Sequence, residues 1–368
     1  MDKKTIVAGI TQGDINGIGY EIIMKALSDP ALTDLCVPVV YGSPKVAAYH
    51  RKVLNITNFN FNNIRSVAEA HPRKVNLVNC LGDDVRVELG KSTPEGGQAS
   101  LVALEAAVAD LTAGRIDLLV TAPIDKNNIQ SDKFRFTGHT DYLRSKAGAH
   151  EALMLMISES MKIGFVTEHL PLKDVPGAIT VGSILTKLRL LNRSLLQDFA
   201  IRGPRIGVLS LNPHAGDGGL LGNEERDIII PAITRANEEG ILAFGPYSSD
   251  GFFGSGAFRR FDAVLAMYHD QGMGAFKAIA FDTGVNYTAG LPVIRTSPVH
   301  GTAFDITGKN EASGNSMRQA LYSAVDIFRN REMYDELLRN PLQPQKIEIH
   351  PEHVDELPPE TETDDHAL

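Results

Sequence analysis

Cysteine is scarce in this sequence: Cys36 and Cys80 are the only two among 368 residues, and they do not form a CxxC pair. A disulfide framework is therefore not expected, and two reduced, buried thiols in a reducing cytoplasm are the simpler interpretation. Long apolar runs are also missing, since no window approaches the ~20 apolar residues that a membrane-spanning helix needs. The apolar run at residues 5–10 is far too short for a signal peptide and leads at once to the polar Gln12. The sequence thus predicts a soluble, cytoplasmic protein with no membrane partner.

Positive charge is in short supply as well. Lysine and arginine total 36 against 45 aspartates and glutamates, which gives a formal net charge of −9. No basic stripe stands out along the chain, so we expect no nucleic-acid partner. The hydrophobic content of 43% and the charged content of 22% are ordinary for a soluble globular protein. A length of 368 residues exceeds the size at which one core usually stops growing, and two domains are therefore expected.

What the sequence does contain is a regular alternation of strand-like and helix-like segments. Apolar, β-branched runs predict strands over residues 5–10, 37–41, 75–78, 116–121, 152–157, 163–167, 205–211 and 264–267. Helical periodicity predicts helices over residues 20–27, 44–54, 93–113, 181–200, 223–240 and 313–329. The strands at 152–157 and 163–167 look like a hairpin pair. Such alternation predicts an α/β fold with a largely parallel sheet.

Two glycine-rich turns have two interpretations each. Residues 13–19, GDINGIG, lie between the first strand and the first helix, where backbone N–H groups at a helix N-terminus can bind an anion. Their spacing is not GxGxxG, and the glycines serve a tight turn equally well. The run at residues 216–219 is likewise either a backbone anion nest or a flexible turn.

Three histidines occupy equivalent positions in the chain. His169, His214 and His269 each follow a predicted buried strand, in a loop marked by glycine or proline. The carboxyl ends of strands in an α/β sheet form the ligand crevice, so these side chains can converge although they are distant in sequence. Three imidazoles with one open coordination position are the pattern of a catalytic zinc site, and nitrogen ligands favour zinc, cobalt or nickel over magnesium. A single histidine at a strand end is more often an ordinary hydrogen-bonded residue, but three equivalent ones favour a metal site.

A second set of polar residues, beside glycine or at the ends of apolar runs, suggests an anion site: His139, Thr140, Lys277, Asn286 and Arg295. Thr140 is expected to be either the N-cap of a helix or an anion ligand. Alone, each of these residues is compatible with a surface pair or a cap. Together with the glycine-rich turns they suit a phosphorylated small molecule held by charge-assisted hydrogen bonds. We interpret residues 261–308 as one wall of an active site.

Six motifs occur in this chain in a fixed order: GDINGIGYE, TGHTDYL, VTEHLPL, LNPHAGDGG, MYHDQG and GVNYTAGLPVIRTSPVHGTAFDI. Together they resemble the 4-hydroxythreonine-4-phosphate dehydrogenase family of pyridoxal phosphate synthesis, over nearly the whole chain up to residue 330. The segment HGTAFDITGK is also similar to the adenosine-side loop of isocitrate and isopropylmalate dehydrogenases, whose fold the family shares. The resemblance implies two α/β/α domains with an active-site cleft between them. The first would comprise residues 1–135 and 296–340, and the second residues 136–295.

The resemblance also implies roles for individual residues. The family's metal ligands fall on His169, His214 and His269, with one of them supplied by the partner subunit of a homodimer. Zinc is the favoured metal, with magnesium or cobalt as alternatives. The remaining expected roles are substrate binding by His139, Thr140, Lys277, Asn286 and Arg295, catalysis by Lys277 and Asp270, and NAD or NADP binding by His300, Gly301, Thr302, Ala303 and Asp305.

The implied reaction is NAD-dependent oxidation of 4-phosphooxy-L-threonine with decarboxylation to 3-amino-2-oxopropyl phosphate. The alternatives are a dehydrogenase of 4-phospho-D-threonate or D-erythronate, a metal-dependent hydrolase or aldolase, and a phosphometabolite-binding protein without catalytic activity. The sequence departs from the family pattern at residues 14–17, where proline and alanine often follow the aspartate. It also departs in the acidic segment 341–368, which we expect to be a disordered tail or a loosely docked arm. Its three histidines, His350, His353 and His366, are expected to be solvated and to bind no metal.

Overall fold

A computed structural model of the protein describes residues 5–82 and 84–342. Its strands are β1 Val7–Thr11, β2 Val37–Gly42, β3 Asn62–Ile64, β4 Asn76–Asn79, β5 Leu118–Thr121, β6 Leu153–Ile157, β7 Lys162–Phe165, β8 Arg205–Leu209, β9 Leu242–Tyr247, β10 Ala263–Ala266, β11 Val285–Ala289 and β12 Arg295–Pro298. Its α-helices are α1 Gly19–Leu27, α2 Leu32–Leu35, α3 Pro44–Val53, α4 Pro94–Thr112, α5 His139–Lys146, α6 Val175–Ala178, α7 Val181–Gln197, α8 Ile230–Glu238, α9 Ser249–Gly254, α10 His269–Ala280 and α11 Asn315–Arg339.

The strands of the described chain form one sheet in the order β3-β4-β2-β1-β5-β12-β11-β6-β7-β10-β8-β9. The strands from β3 to β12 along this order are parallel, and so are those from β7 to β9. Between these blocks, β11 runs antiparallel to both β12 and β6, and β6 and β7 form the predicted antiparallel hairpin. The predicted α/β class is therefore confirmed. The division into two domains at residues 135 and 296 stays a prediction.

Local sequence signals explain where the main helices begin. Helix α4 starts at Pro94, after the side chain of Thr93 accepts a hydrogen bond from Gly96 N at 3.1 Å. Helix α7 starts with a capping box in which the Thr180 and Ser183 side chains each accept from the other residue's backbone N–H, at 3.0 and 2.9 Å. The buried leucines of α7 then pack into the core, where truncating one to alanine typically costs about 2–5 kcal/mol.

Helix α11 is ten residues longer at its C-terminal end than the sequence pattern predicts, since it ends at Arg339 instead of 329. Its first part packs on β12, β5 and α1, and its last buried residue is Ile327. Beyond that point the side chains are mostly exposed, so the apolar period that marked the helix disappears. Strong helix formers such as arginine, glutamate and leucine continue the helix in the absence of that signal.

Three other expectations are affected by the structure. Residues 223–240 form a π-helical turn, Glu225–Ile229, followed by the shorter α8. From residue 343 onward the expected acidic tail, with His350, His353 and His366, lies outside the described residues. The helices that are described include none with the length and apolar character to span a bilayer.

Candidate active site

A cavity of about 730 Å³ opens at the centre of the sheet, where β5, β12, β11, β6 and β7 lie side by side. Side chains from one face of the sheet line this cavity, because alternate residues of a strand point to the same side. Met154 and Met156 project from β6, and Arg295 and Ser297 from β12. The structure brings together in its lining nine of the predicted site residues: His139, Thr140, His169, His269, Lys277, Asn286, Arg295, His300 and Gly301.

Arg295 is the most deeply buried charge in this lining, with only 3% of its surface exposed. Its Nε and Nη2 donate to Thr121 Oγ1 at 3.0 and 2.7 Å, and its Nη1 donates to Thr288 Oγ1 at 3.4 Å. Burial lowers the pKa of Arg295 to about 9, which still leaves the guanidinium charged at neutral pH. A buried cation with neutral partners is costly unless an anion joins it. The arrangement therefore points to an anionic ligand.

Three buried polar atoms of the lining have no hydrogen-bond partner: His139 Nε2, Asn286 Oδ1 and His300 Nε2. Burial, followed by the charges of Arg295 and Lys126, lowers the pKa of His139 well below its ordinary value. Its imidazole is thus neutral and offers one donor and one acceptor. Unpaired buried polar atoms are rare in folded proteins, so we take these three as groups that face a polar ligand.

His169 and His269 lie together, with 5.7 Å between their ring centroids. Burial, then the charges of Lys126 and His269, lowers the pKa of His169, which favours the neutral imidazole that a metal needs. His214 does not line this cavity. Within the chain as described, no three histidine, cysteine, aspartate or glutamate residues form a group that could hold a metal ion. His169 and His269 are thus the two predicted metal ligands that the structure brings together.

His214 instead lies in a left-handed turn. Residues His214–Gly219 all have positive φ, including the non-glycine residues His214, Ala215 and Asp217 at 52°, 53° and 44°. The buried Glu225 fixes the start of this turn, because its Oε1 accepts hydrogen bonds from Leu211 N and from Asn212 N at 2.8 and 2.7 Å. The backbone of His214 therefore has a defined conformation, and the residue is exposed.

Two expected residues have positions that differ from the simplest interpretation. Thr140 is not the N-cap of α5, because the helix begins at His139 after Gly138 and has no side-chain cap. Its hydroxyl lies 3.4 Å from Thr288 Oγ1 at the cavity. Asp270 does not line the cavity; its Oδ1 lies 2.7 Å from His269 Nδ1.

The turn at residues 300–305 contacts the first glycine-rich loop. Thr302, Ala303 and Asp305 lie outside the cavity lining, and Thr302 O accepts a hydrogen bond from Ile18 N at 3.0 Å. A Cβ at Gly17 would lie 2.8 Å from the same oxygen, so only glycine fits there.

The loop itself uses its own donors: Asn16 N and Gly17 N donate to the Oδ1 and O of Asp14, at 2.8 and 3.1 Å. Burial also raises the pKa of the Asp14 carboxyl, which Asn128 Nδ2 contacts at 2.7 Å. Because its N–H groups have partners and a carboxylate lies among them, the tight-turn interpretation is favoured over the anion cradle.

Sequence reasoning missed Lys126, Thr121 and Thr288. Lys126 lies in the cavity lining and is close enough to lower the pKa values of both His139 and His169. Thr121 ends β5, and Lys126 follows five residues later. The rule that polar residues after strand ends line the crevice, applied to the segment 116–121, would have found both. Thr288 lies inside β11, a strand that the apolar pattern did not reveal.

A sequence model of one family, described as pyridoxal phosphate biosynthetic protein PdxA, matches residues 34–324 of this chain. The chain belongs to the PdxA family. The resemblance drawn from the six motifs is thereby confirmed, and with it the expectation of an oxidoreductase.

Individual relatives agree with this membership. The 4-hydroxythreonine-4-phosphate dehydrogenase of Bacteroides thetaiotaomicron is 52% identical over 349 residues, which cover 95% of this chain and 96% of that protein. A protein of Oceanobacillus iheyensis, whose name gives D-threonate 4-phosphate as its substrate, is 37% identical and covers 89% of this chain and 99% of its own length. The crystal structure of 4-hydroxythreonine-4-phosphate dehydrogenase from Klebsiella pneumoniae superposes with a TM-score of 0.78 at 32% identity, covering 89% of this chain and 99% of that one.

Proposed function

We propose that this protein is an NAD-dependent, divalent-metal-dependent 4-hydroxythreonine-4-phosphate dehydrogenase. It would oxidise 4-phosphooxy-L-threonine with loss of carbon dioxide, giving 3-amino-2-oxopropyl phosphate for pyridoxal 5′-phosphate synthesis. One observation carries the proposal: the buried Arg295 and the His169–His269 pair line the same cavity. An anion site beside imidazoles suits a phosphorylated hydroxy acid. The name of the Bacteroides relative supports the choice of substrate.

Five lining residues would hold the substrate. Arg295 would bind a charged group of the substrate, Lys277 Nζ would contact the hydroxyl group that is oxidised, and Thr140 would donate a hydroxyl hydrogen bond. The unpaired Asn286 Oδ1 would accept from the substrate's amine or hydroxyl, and the neutral His139 would complete the polar contacts. Such fixed contacts orient the reacting carbon, which is a large contribution to catalysis.

The metal proposal rests on imidazole chemistry. His169 and His269 fit a divalent cation because their rings adjoin and burial keeps His169 neutral, and His214 of a partner subunit would be the third ligand. Zinc is favoured, with magnesium or cobalt as alternatives. When bound, the ion supplies Lewis-acid polarisation of the substrate hydroxyl. Asp270 accepts from His269 Nδ1–H, which leaves Nε2 as the ligand atom, so we assign Asp270 an orienting role.

The cofactor proposal concerns the turn formed by His300, Gly301, Thr302, Ala303 and Asp305. It fits NAD or NADP because the turn runs from the cavity lining to the buried first loop, and His300 Nε2 is buried without a partner. When bound, the nicotinamide supplies the hydride acceptor. Lys277 Nζ, at the cavity, is the group that we propose takes the hydroxyl proton.

A second candidate is dehydrogenation of 4-phospho-D-threonate or D-erythronate. The Oceanobacillus relative favours it, and these substrates carry the same phosphate and carboxylate groups. A metal-dependent hydrolase or aldolase, and a binding protein without catalytic activity, are the rivals from other classes.

One experiment separates these functions. Absorbance at the NADH band is followed with 4-phosphooxy-L-threonine, NAD and zinc, with and without a chelator. The proposal requires a signal that the chelator abolishes. Product without NADH indicates a hydrolase or aldolase, and binding without product indicates a binding protein. A signal only with phosphothreonate or phosphoerythronate selects the second candidate.

A further inference from the structure

Arg295 is held by hydroxyl groups alone. Among the described residues it has no ion-pair partner, although buried arginines are normally paired with a carboxylate. A guanidinium has five N–H donors. Thr121 Oγ1 accepts from Nε and Nη2, and Thr288 Oγ1 accepts from Nη1. One N–H therefore remains on each of the two terminal nitrogens, in a side chain that lines the cavity.

The donor chemistry of arginine also bears on the hydrogen bond between Thr288 and Thr140. Thr288 Oγ1 must act as acceptor toward Arg295, because a guanidinium can only donate. While it accepts from Arg295, Thr288 Oγ1 can donate its own hydrogen to Thr140 Oγ1, which lies 3.4 Å away, and this is the direction that we propose. Thr140 in turn keeps its own hydrogen for a group in the cavity that it lines. In this arrangement Thr140, like Arg295, presents a donor to the ligand.

We propose that Thr121 and Thr288 are positioning residues of an oxyanion subsite, in which they hold Arg295 with free donors and turn the Thr140 hydroxyl into a donor. The inference rests on the proposed function, since it names the residues that prepare the cavity for a phosphorylated acid. The oxyanion is either the phosphate or the carboxylate of the substrate.

Hydroxyl partners suit this task better than carboxylates do. A carboxylate in place of Thr121 would neutralise Arg295 and compete with the ligand for its donors. A threonine hydroxyl fixes the orientation of the guanidinium and leaves its charge for the ligand. The two contacts at 3.4 Å, from Arg295 to Thr288 and from Thr288 to Thr140, are long and are expected to shorten when the anion binds.

The test uses the full-length protein and measures binding of inorganic phosphate and of acetate by calorimetry. Thr121→Val removes the hydroxyl at constant shape and is expected to weaken the affinity for one of the two anions about tenfold, as loss of a charge-assisted contact does. Thr121→Ser keeps the hydroxyl and is expected to stay within about twofold of the wild type. Weakened phosphate binding assigns Arg295 to the phosphate end of the substrate, and weakened acetate binding assigns it to the carboxylate end.

Thr296→Val is the matched control. Thr296 is the next residue of β12, is fully buried, and donates its hydroxyl hydrogen to Ala320 O at 2.8 Å on α11. Its replacement should leave both anion affinities unchanged. The inference is overturned if Thr121→Val binds both anions as the wild type does, if Thr121→Ser is as weak as Thr121→Val, or if Thr296→Val is equally weak.

A double-mutant cycle tests the Thr288–Thr140 contact. Thr140→Val should weaken anion binding in the wild type and have a much smaller effect in a Thr288→Val background, because the donor direction is already lost there. Additive effects would contradict the proposed direction. Neither measurement needs NAD or turnover, so anion binding that depends on Thr121 in a protein without dehydrogenase activity would reject the proposed function alone.

Discussion

The hydroxyl oxygen of Thr121 accepts hydrogen bonds from both Nε and Nη2 of Arg295, at 3.0 and 2.7 Å. Both residues are buried, since 3% of the arginine surface and none of the threonine surface is exposed. One uncharged oxygen atom thus holds the buried guanidinium group in its orientation. This contact joins β5 to β12 and supports the proposal that the cavity accepts an anionic ligand.

Arg295→Lys is expected to raise KM for 4-phosphooxy-L-threonine about 10- to 100-fold, or about 1.4–2.7 kcal/mol, with a smaller effect on kcat. Lysine keeps the charge but lacks the planar set of donors that binds both Thr121 and an oxyanion. Initial rates over a range of substrate concentrations give the two constants. Arg318→Lys is the control, because Arg318 donates to Ala26 O and Lys25 O away from the cavity. An equal rise in KM for both variants would contradict the prediction.

Mixing two inactive variants tests whether the metal site is shared between chains. In a two-fold dimer, a mixed pair of His169→Ala and His214→Ala chains has one site that lacks both ligands and one complete site. With random pairing, about a quarter of the wild-type activity should return. The activity is measured after unfolding and refolding the variants together. No recovery would mean that each site takes its ligands from one chain.

His50 should make the stability of the fold dependent on pH. It is buried, its Nε2 lies 2.7 Å from Ile15 O, and burial lowers its pKa from the ordinary 6.5. As the pH falls below 6.5, the unfolded chain binds a proton at His50 that the folded protein does not bind. The free energy of unfolding therefore decreases by up to about 1.4 kcal/mol per pH unit. Urea unfolding at pH 7.5 and 5.5 should therefore show a decrease that is smaller in His50→Gln by about 1 kcal/mol.

The exposed His71 provides the control for this measurement, because water reaches its side chain in the folded state. His71→Gln should retain the pH dependence of the wild type. If His50→Gln retains it as well, the loss of stability at low pH comes from other groups.

Asp198 should be essential to the stability of the fold. It is 2% exposed and accepts hydrogen bonds from Arg331 Nε, Ser194 Oγ and Tyr287 OH at 2.7, 2.6 and 2.7 Å. Asp198→Ala leaves the buried charge of Arg331 without its carboxylate partner and is expected to lower the free energy of unfolding by about 3–5 kcal/mol, measured in urea. Asp227→Ala, which breaks the exposed pair with Arg226, should have no measurable effect. A small effect at Asp198 would show that water replaces the lost carboxylate.

Much of the site could be predicted because its residues follow strand ends. His169 and His269 come four and three residues after the ends of β7 and β10, and Arg295 opens β12 after a glycine-marked turn. The sequence could not tell which of the three histidines meet in one chain, because that depends on the order of strands in the sheet. His169 and His269 follow the neighbouring strands β7 and β10. Strand β8, which precedes His214, also pairs with β10, but the left-handed turn that holds His214 lies outside the cavity lining, and nothing in the sequence indicated a left-handed backbone at this histidine.

Two elements that the sequence pattern did not predict are β9 and α10. Tertiary packing stabilises them although several of their residues disfavour a strand or a helix. Strand β9, LAFGPY, contains glycine and proline, both of which are depleted in strands. Helix α10, HDQGMGAFKAIA, contains two glycines and was not predicted. It forms because Met273 and Phe276 bury their side chains against the sheet, and this buried face brings Lys277 to the cavity.

The left-handed turn at residues 214–219 has a consequence for the proposed sharing of the metal site between two subunits. Three of its non-glycine residues hold a conformation that costs roughly 1 kcal/mol each, so the folded protein already carries this strain before a second chain arrives. Because its backbone is rigid, His214 would lose little conformational entropy on binding a metal held by another subunit. Ala215→Gly would relieve part of the backbone strain. It would therefore make a single folded chain more stable and its association with another subunit weaker.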